Sequence, residues 1–339
     1  MLNIQENINL SAYTTFRIGG PARYFAVITN LEDLREVMAW NKERNLPLLV
    51  LGRGANMLVS DAGFPGLVIK NEIKGREILE EAEDKVSLLI GGGEDWPELV
   101  VYTVDKGWSG LENLAAIPGT VGAAPVQNIG AYGVELKDHC SFVKCVDLHD
   151  PELKLQTIAA SDCDFSYRQS RFKKAGQGRY FIVSVGFSLD KTCKPIVEYG
   201  TLKDCLGDKE LNQRNIFETV VSVRGAKLPD PAVLPSAGSF FKNVELSPEE
   251  FAPILEKFPE IKHFETNGKI KIPTAWLIEQ CGFKGYREGD AGTHVNQPLV
   301  LINYGQANQA DILALAQRII DKVKNKFGVV LEPEVNLIK

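Results

Sequence analysis

Residues Ile117 to Gly133 read IPGTVGAAPVQNIGAYG, and the reading of this stretch decides the fold. Its seventeen residues include four glycines, three alanines, two prolines and no charge. Large side chains are too few for an amphipathic helix, and glycine is too frequent for a good strand. Small residues do let backbone N–H groups approach a bulky, oxygen-rich ligand, and nests of N–H groups in glycine turns bind anions, pyrophosphate among them. A packing seam between sheets wants the same small residues. Cradle and seam both stand at this point.

Upstream, Tyr24–Thr29 (YFAVIT) has the composition of a strand. Leu31–Arg44 carries Leu31, Leu34, Val37, Met38 and Asn41 on one helical stripe, and Pro47–Leu51 reads as a second strand. This β-α-β unit runs into Gly52-Arg53-Gly54-Ala55-Asn56, a glycine turn placed where phosphate contact is favoured. The turn lacks the G-x-G-x-x-G spacing, and Met57–Val59 looks extended rather than helical, which weakens a nicotinamide-binding Rossmann reading. Strands are expected at Leu67–Lys70 and Val86–Ile90, the latter ending in Gly91-Gly92-Gly93, and a helix over Trp96–Lys106 with Pro97 in its first turn.

Downstream, strands near Phe142–Leu148, Lys154–Ile158 and Tyr180–Leu189 form a β-rich middle region reaching about residue 215. The organisation then changes. Asn212 is placed to cap a helix through Val223 that stops at Gly225, ahead of Leu228-Pro229-Asp230-Pro231. Ser247-Pro248-Glu249-Glu250 is a capping box with proline at the first helical position, opening a helix to about Lys257. Thr274–Cys281 is a short helix closed by Gly282. Ile312, Leu315, Ala316, Ile319, Ile320 and Val323 share one face of a last helix ending at Gly328, and Val329–Ile338 reads as a terminal strand interrupted by Pro333.

At 339 residues the chain predicts two or three domains. A net charge of −6, from 38 Lys and Arg against 44 Asp and Glu, gives no support to a nucleic-acid surface. The first residues, MLNIQENINLSAY, lack the basic start and apolar centre of a signal peptide, and no apolar run approaches the ~18 residues of a membrane span. Six cysteines without a C-x-x-C pair and four scattered histidines predict reduced thiols, no metal site and a cytoplasmic protein.

Four polar groups stand out from the scaffold: Ser239 within Pro235–Asn243, braced by Phe240 and Phe241; Arg168 within Ser166–Arg171; Glu334 within Leu331–Val335; and Arg224 with Lys227 at a helix end, where cations suit the dipole. Each has a bland reading as a turn residue, a solvated cation or an edge-strand charge. No histidine adjoins Ser239, so a hydrolase triad lacks support.

Together these segments resemble the UDP-N-acetylenolpyruvoylglucosamine reductases (MurB), flavoenzymes of bacterial cell-wall precursor synthesis. The resemblance covers nearly the whole chain: Thr15-Phe16-Arg17-Ile18-Gly19-Gly20, Gly52–Asn56, Ile117–Gly133, Tyr167-Arg168, Pro235–Asn243 and Leu331–Val335 occur in family order. It implies an α+β protein with an FAD-binding module of the vanillyl-alcohol-oxidase type in two subdomains, residues 1–70 with 328–339 and residues 71–214, plus an α+β substrate-binding domain, residues 215–327.

Non-covalent FAD would be held by Gly52, Arg53, Gly54, Ala55, Asn56, Ile117, Gly119, Thr120, Gly122, Ala123, Asn128, Ile129, Gly130, Ala131 and Arg224. NADPH would be the reductant and UDP-N-acetylglucosamine enolpyruvate the substrate, in a monomer with neither nucleic-acid nor membrane partners. The family's catalytic positions fall on Ser239, Arg168 and Glu334, and its sugar-nucleotide positions on Tyr167, Tyr199, Lys227, Asn243, Lys271 and Gln297, with Tyr199-Gly200 marking the subgroup that has an extra tyrosine loop. Arg53, Ala55 and Asn336 depart from the residues more usual there. A flavin oxidase of the same superfamily commonly tethers FAD through histidine or cysteine, and residues 47–66 contain neither. A non-catalytic nucleotide-sugar sensor would not need Arg168, Ser239 and Glu334 together.

Overall fold

The computed structural model describes residues 3–176, 178–266 and 268–339. The chain falls into two compact units. The first takes Met1–Ile8, Ala22–Arg53 and Pro65–Gly225, and the second Asn9–Pro21, Gly54–Phe64 and Ala226–Lys339.

The first unit is built on two sheets. One has the strand order Ile4–Asn9, Pro21–Ile28, Phe64–Asn71, Leu48–Leu51, so another strand separates the two strands of the expected β-α-β unit. Its helix, Leu31–Lys42, starts where the Asn30 side chain accepts from the N–H groups of Glu32 and Asp33, and it buries Leu34 and Val37 against Ala26, Ile28, Leu67 and Ile69. The other sheet is antiparallel, in the order Leu155–Ala159, Cys140–Asp147, Tyr180–Asp190, Lys85–Gly91, Arg76–Glu81.

Its central strand, Tyr180–Asp190, serves two cores because of one extra residue. Ser184 pairs with Lys144 and Ile182 with Cys145, which leaves Val183 as a bulge. The bulge flips the alternation. Val185, Phe187 and Leu189 join Trp96, Leu99 and Val100 of the helix Trp96–Asp105, whereas Phe181 and Val183 join Ala26 and Val37.

The helix near the end of this unit differs from expectation. It spans Gln213–Lys227 and passes through Gly225 without stopping. Asn212 does cap it, its Oδ1 accepting from the Asn215 N–H at 2.9 Å. A single helical glycine costs only about 1 kcal/mol, so the end is set instead by Pro229, which disfavours helical geometry in the residue before it.

In the second unit, Val244–Leu246, Lys269–Ile272 and Phe264–Thr266 form one antiparallel sheet, and Arg287–Glu288, Ala291–Thr293 and Leu301–Asn303 another. Helices Pro248–Lys257, Thr274–Gln280 and Gln309–Phe327 pack Phe251, Leu277, Ile278, Ile312, Leu315 and Ile319 into one core. Ser247 and Glu250 form the expected capping box, and Gly328 at φ 75° closes the last helix. The terminal strand is shorter than expected. Only Asn336–Ile338 forms a strand, parallel to Met57–Val59, while the segment around Pro333 pairs instead with Phe241. Among the described residues no helix is long and apolar enough to cross a membrane.

Candidate active site

The small-residue stretch is both cradle-shaped and a seam, at different residues. Val121–Gln127 coils into 3-10 turns, which tolerate the proline and glycine that rule out a regular helix. Gly122 is the seam: its N–H donates to Gly92 O at 2.7 Å, and a Cβ on it would lie 2.9 Å from that oxygen. Gly119, at φ 151°, faces open space, with nothing within 4 Å of an added Cβ. Ala116, Pro118 and Ala123 beside it are exposed. The second glycine turn converges here, since a Cβ on Gly52 would meet Thr120 Oγ1 at 2.6 Å. Asp95 bridges to Thr120 through the backbone and pairs with the Arg53 guanidinium, which gives that departure from the family pattern a local partner.

The left-handed turn at Asn128, φ 44°, ends the 3-10 segment. Its buried side chain is committed to protein groups: Nδ2 donates to Ser166 O at 3.3 Å and Glu135 Oε2 at 3.0 Å, and Oδ1 accepts from the Lys137 N–H at 3.1 Å. This bolts the Ser166–Gln169 hairpin turn, whose two end residues exchange backbone bonds of 3.0 Å, onto the glycine segment. Arg168 sits in that turn at φ 53°. Its Nη2 donates to Gly130 O at 3.1 Å, and its guanidinium carbon lies 5.3 Å from the Tyr167 ring centre.

A second guanidinium lies near it. Burial pushes Arg224 below the usual arginine range, the charge of Arg168 adds to that, and Tyr132 opposes it. The Arg224 Nε is buried without a hydrogen-bond partner. Above this region lies the tyrosine loop. Tyr199 is 56% exposed, and its Cβ is 3.4 Å from where a Gly133 Cβ would stand. Asn113, a residue the sequence did not single out, fastens that loop: its Nδ2 donates to Tyr132 O at 2.9 Å and Ile196 O at 2.7 Å.

In the second unit Ser239 and Glu334 are brought together by backbone pairing. Ser239 bridges to Val300, Phe241 bridges to Pro333, and the Lys242 N–H donates to Glu332 O at 2.9 Å. Phe240 and Phe241 are fully buried, which keeps the half-buried Ser239 at the surface of the core. Lys242 Nζ pairs with Glu332 Oε2 at 2.9 Å. Asn243 Oδ1 accepts from the Thr274 N–H at 3.1 Å, and Lys271 stands across the ladder from Glu245, their charged ends 3.6 Å apart. Asn56 Nδ2 lies 3.4 Å from Glu334 O, and Asn336 donates to Asn56 O at 2.9 Å. Gln297 Oε1 is buried without a hydrogen-bond partner. Lys227 closes its helix where Asn296 Nδ2 donates to Ala226 O at 3.1 Å. Burial holds the His294 imidazole below the usual range. Neither Asn113 nor Asn296 carries a sequence signal, because each acts through carbonyls distant along the chain.

The residues present fit a flavin nucleotide: an uncharged small-residue segment with an open glycine for the diphosphate, and cations for its charge. An α+β fold with such a segment suits the class of FAD-containing oxidoreductases, and the relatives of the chain fall in that class. A family model described as an FAD binding domain matches residues 22–155, and one described as the C-terminal domain of UDP-N-acetylenolpyruvoylglucosamine reductase matches residues 230–338. The reductases of Chromobacterium violaceum and Pasteurella multocida that carry this name are each 42% identical to the chain, over 98% and 97% of it and 98% and 96% of their own lengths. The crystal structure of the Thermus caldophilus reductase superimposes with a TM-score of 0.69 over 100% of both chains at 26% identity. The chain belongs to the UDP-N-acetylenolpyruvoylglucosamine reductase family.

Proposed function

We propose that the protein reduces UDP-N-acetylglucosamine enolpyruvate to UDP-N-acetylmuramate with NADPH, as a cytoplasmic monomer supplying peptidoglycan synthesis. FAD, when bound, supplies the hydride carrier between NADPH and the enolpyruvyl group. Gly52–Asn56, the open face of Ile117–Ala131 and Arg224 are the residues that would hold it. Residues 1–70 with 328–339 and residues 71–214 serve the cofactor, and residues 215–327 serve the sugar nucleotide.

The observation that carries this reading is the pair of neighbouring guanidiniums, Arg168 and Arg224, the latter with a buried Nε that has no partner. A cation buried as Arg224 is, with an unpartnered Nε, suits an anion brought from outside the chain. Arg168 meets the substrate carboxylate, where negative charge grows as hydride arrives at the methylene carbon of the alkene, the carbon farther from the carboxylate. A preorganised cation lowers that barrier more than any other single group. Ser239 then gives its hydroxyl proton to the carbon next to the carboxylate, and Glu334 acts with Arg168 on the developing enolate. Lys227 and Lys271 meet the diphosphate, and Tyr167, Tyr199, Asn243 and Gln297 meet the rest of the sugar nucleotide.

The visible spectrum tests this. The purified protein is expected to be yellow, to bleach with NADPH under anaerobic conditions and to regain colour on addition of UDP-N-acetylglucosamine enolpyruvate. Colourless protein unable to take up FAD, or reduced protein that this substrate leaves bleached, overturns it.

A further inference from the structure

We infer that Thr15 is a positioning residue for Ser239, its hydroxyl anchoring the near end of the serine loop to the segment that carries the Gly54 turn; the inference rests on the proton-donor role proposed above. Thr15 begins the Thr15–Gly20 motif, which none of the roles so far uses. Its N–H donates to Gly54 O at 3.1 Å, and its carbonyl accepts from the Ser236 N–H at 3.1 Å. The hydroxyl Oγ1 lies 2.7 Å from Ser236 O and 3.4 Å from Gly54 O. One hydroxyl carries one proton, so the shorter contact is the bond. Ser236 is therefore gripped at both its N–H and its carbonyl by the same residue.

The neighbouring residues hold the rest of this stretch. Arg17, at φ 52°, donates from Nη2 to Ala232 O at 2.6 Å. Asn303 donates from its N–H to Pro235 O at 2.9 Å and from Nδ2 to Phe16 O at 3.2 Å. On the far side of the loop, the Phe240 N–H donates to Leu299 O at 2.8 Å. Ser239 thus hangs between an anchor at Ser236 and a ladder at Phe240. Between them Ala237 is buried and Ser239 bridges to Val300, while Gly238, at φ 73°, has nothing within 4 Å of an added Cβ, so the turn leading into Ser239 leans on the Ser236 anchor. Ser236 is 1% exposed, and without the Thr15 hydroxyl its carbonyl loses a partner inside the protein. The span would then take up positions in which the Ser239 hydroxyl no longer lines up with the carbon it protonates.

The test uses the full-length, FAD-loaded protein and measures both half-reactions by stopped flow. Thr15→Val keeps the shape and both backbone bonds but removes the hydroxyl; Thr15→Ala removes it with less bulk, and Thr15→Ser keeps it. Thr15→Val and Thr15→Ala are expected to slow reoxidation by UDP-N-acetylglucosamine enolpyruvate about tenfold while NADPH-driven reduction stays within about twofold, and Thr15→Ser is expected to restore the rate. A merely structural threonine would lower thermal stability and leave the ratio of the two half-reactions unchanged. Equal slowing of both, no slowing in either hydroxyl-less variant, or a Thr15→Ser protein as slow as Thr15→Val overturns the inference while leaving the proposed function in place. A wild-type protein that the substrate fails to reoxidise refutes the proposed function, and the inference with it.

Discussion

The backbone N–H of Glu334 donates to the carbonyl of Phe240 across 2.8 Å. Through that bond the C-terminal segment brings the Glu334 backbone alongside the residue next to Ser239, although 95 positions separate Ser239 and Glu334 along the chain. The pairing depends on Pro333, which has no N–H to offer a ladder and so leaves the segment free to bridge Phe241 rather than extend the strand Asn336–Ile338.

If Ser239 is the proton donor, Ser239→Ala is expected to leave flavin reduction by NADPH near the wild-type rate and to slow reoxidation by substrate about a thousandfold. Stopped-flow absorbance of the two half-reactions separates them. Equal slowing of both would remove the serine from the proton-transfer step.

Arg168 is held by a bond to Gly130 O at 3.1 Å, by stacking near Tyr167 and by a left-handed backbone. Lysine retains the charge without the planar fork, so Arg168→Lys is expected to lower kcat by about a hundredfold or more while the protein still folds and binds FAD. Steady-state kinetics with a flavin content assay checks this, and a variant within threefold of wild type contradicts the role.

Gly225 lies inside the helix Gln213–Lys227, is exposed and has nothing within 4 Å of an added Cβ. Gly225→Ala is therefore expected to stabilise the protein by about 0.5–1 kcal/mol, seen as a higher Tm. An unchanged or lower Tm would mean that this helix is not formed there in solution.

Glu94 is buried, which alone would raise its carboxyl, but the Gly75 N–H at 2.9 Å and the Arg76 guanidinium at 2.8 Å and 3.0 Å hold it below the usual carboxylate value of 4.5. A depressed carboxyl stabilises the fold above its unfolded value and loses that contribution as pH falls through its folded value. Glu94→Gln is accordingly expected to cost about 1–2 kcal/mol at pH 7. The Tm gap to wild type is expected to narrow as pH drops below about 4.5. A gap independent of pH would show that the charge contributes nothing.

Burial pushes the thiols of Cys140 and Cys145 up to about 12 and that of Cys163 up to about 11, whereas Cys205 is exposed. At pH 8 a thiol reagent is expected to label Cys205 in the native protein and the other three only after denaturation, as read by mass spectrometry of the labelled peptides. Rapid labelling of Cys163 in native protein would contradict its packing.

The helices were legible because their signals are local. Asn212 and Ser247 each cap within three residues of themselves, and the apolar stripe at Leu34 and Val37 repeats at the helical period. The errors arose where a distant residue decided. Gly225 looked like a stop but sits in a helix that continues to Lys227, and Val329–Ile338 looked like one strand although Phe240 and Phe241 claim its first half.

The same division holds for the candidate site. Sequence alone determined which residues carry charge, a hydroxyl or no side chain at all, and ordered motifs determined the family, since these are properties of residues and of their spacing. Tertiary structure decided the rest. Val183 as an extra residue splits one strand between two cores, Gly122 serves the seam while Gly119 stays open, and Thr15 meets Ser236 across 221 positions. Those outcomes depend on which backbone N–H meets which carbonyl after folding, and no window of neighbouring residues contains both partners.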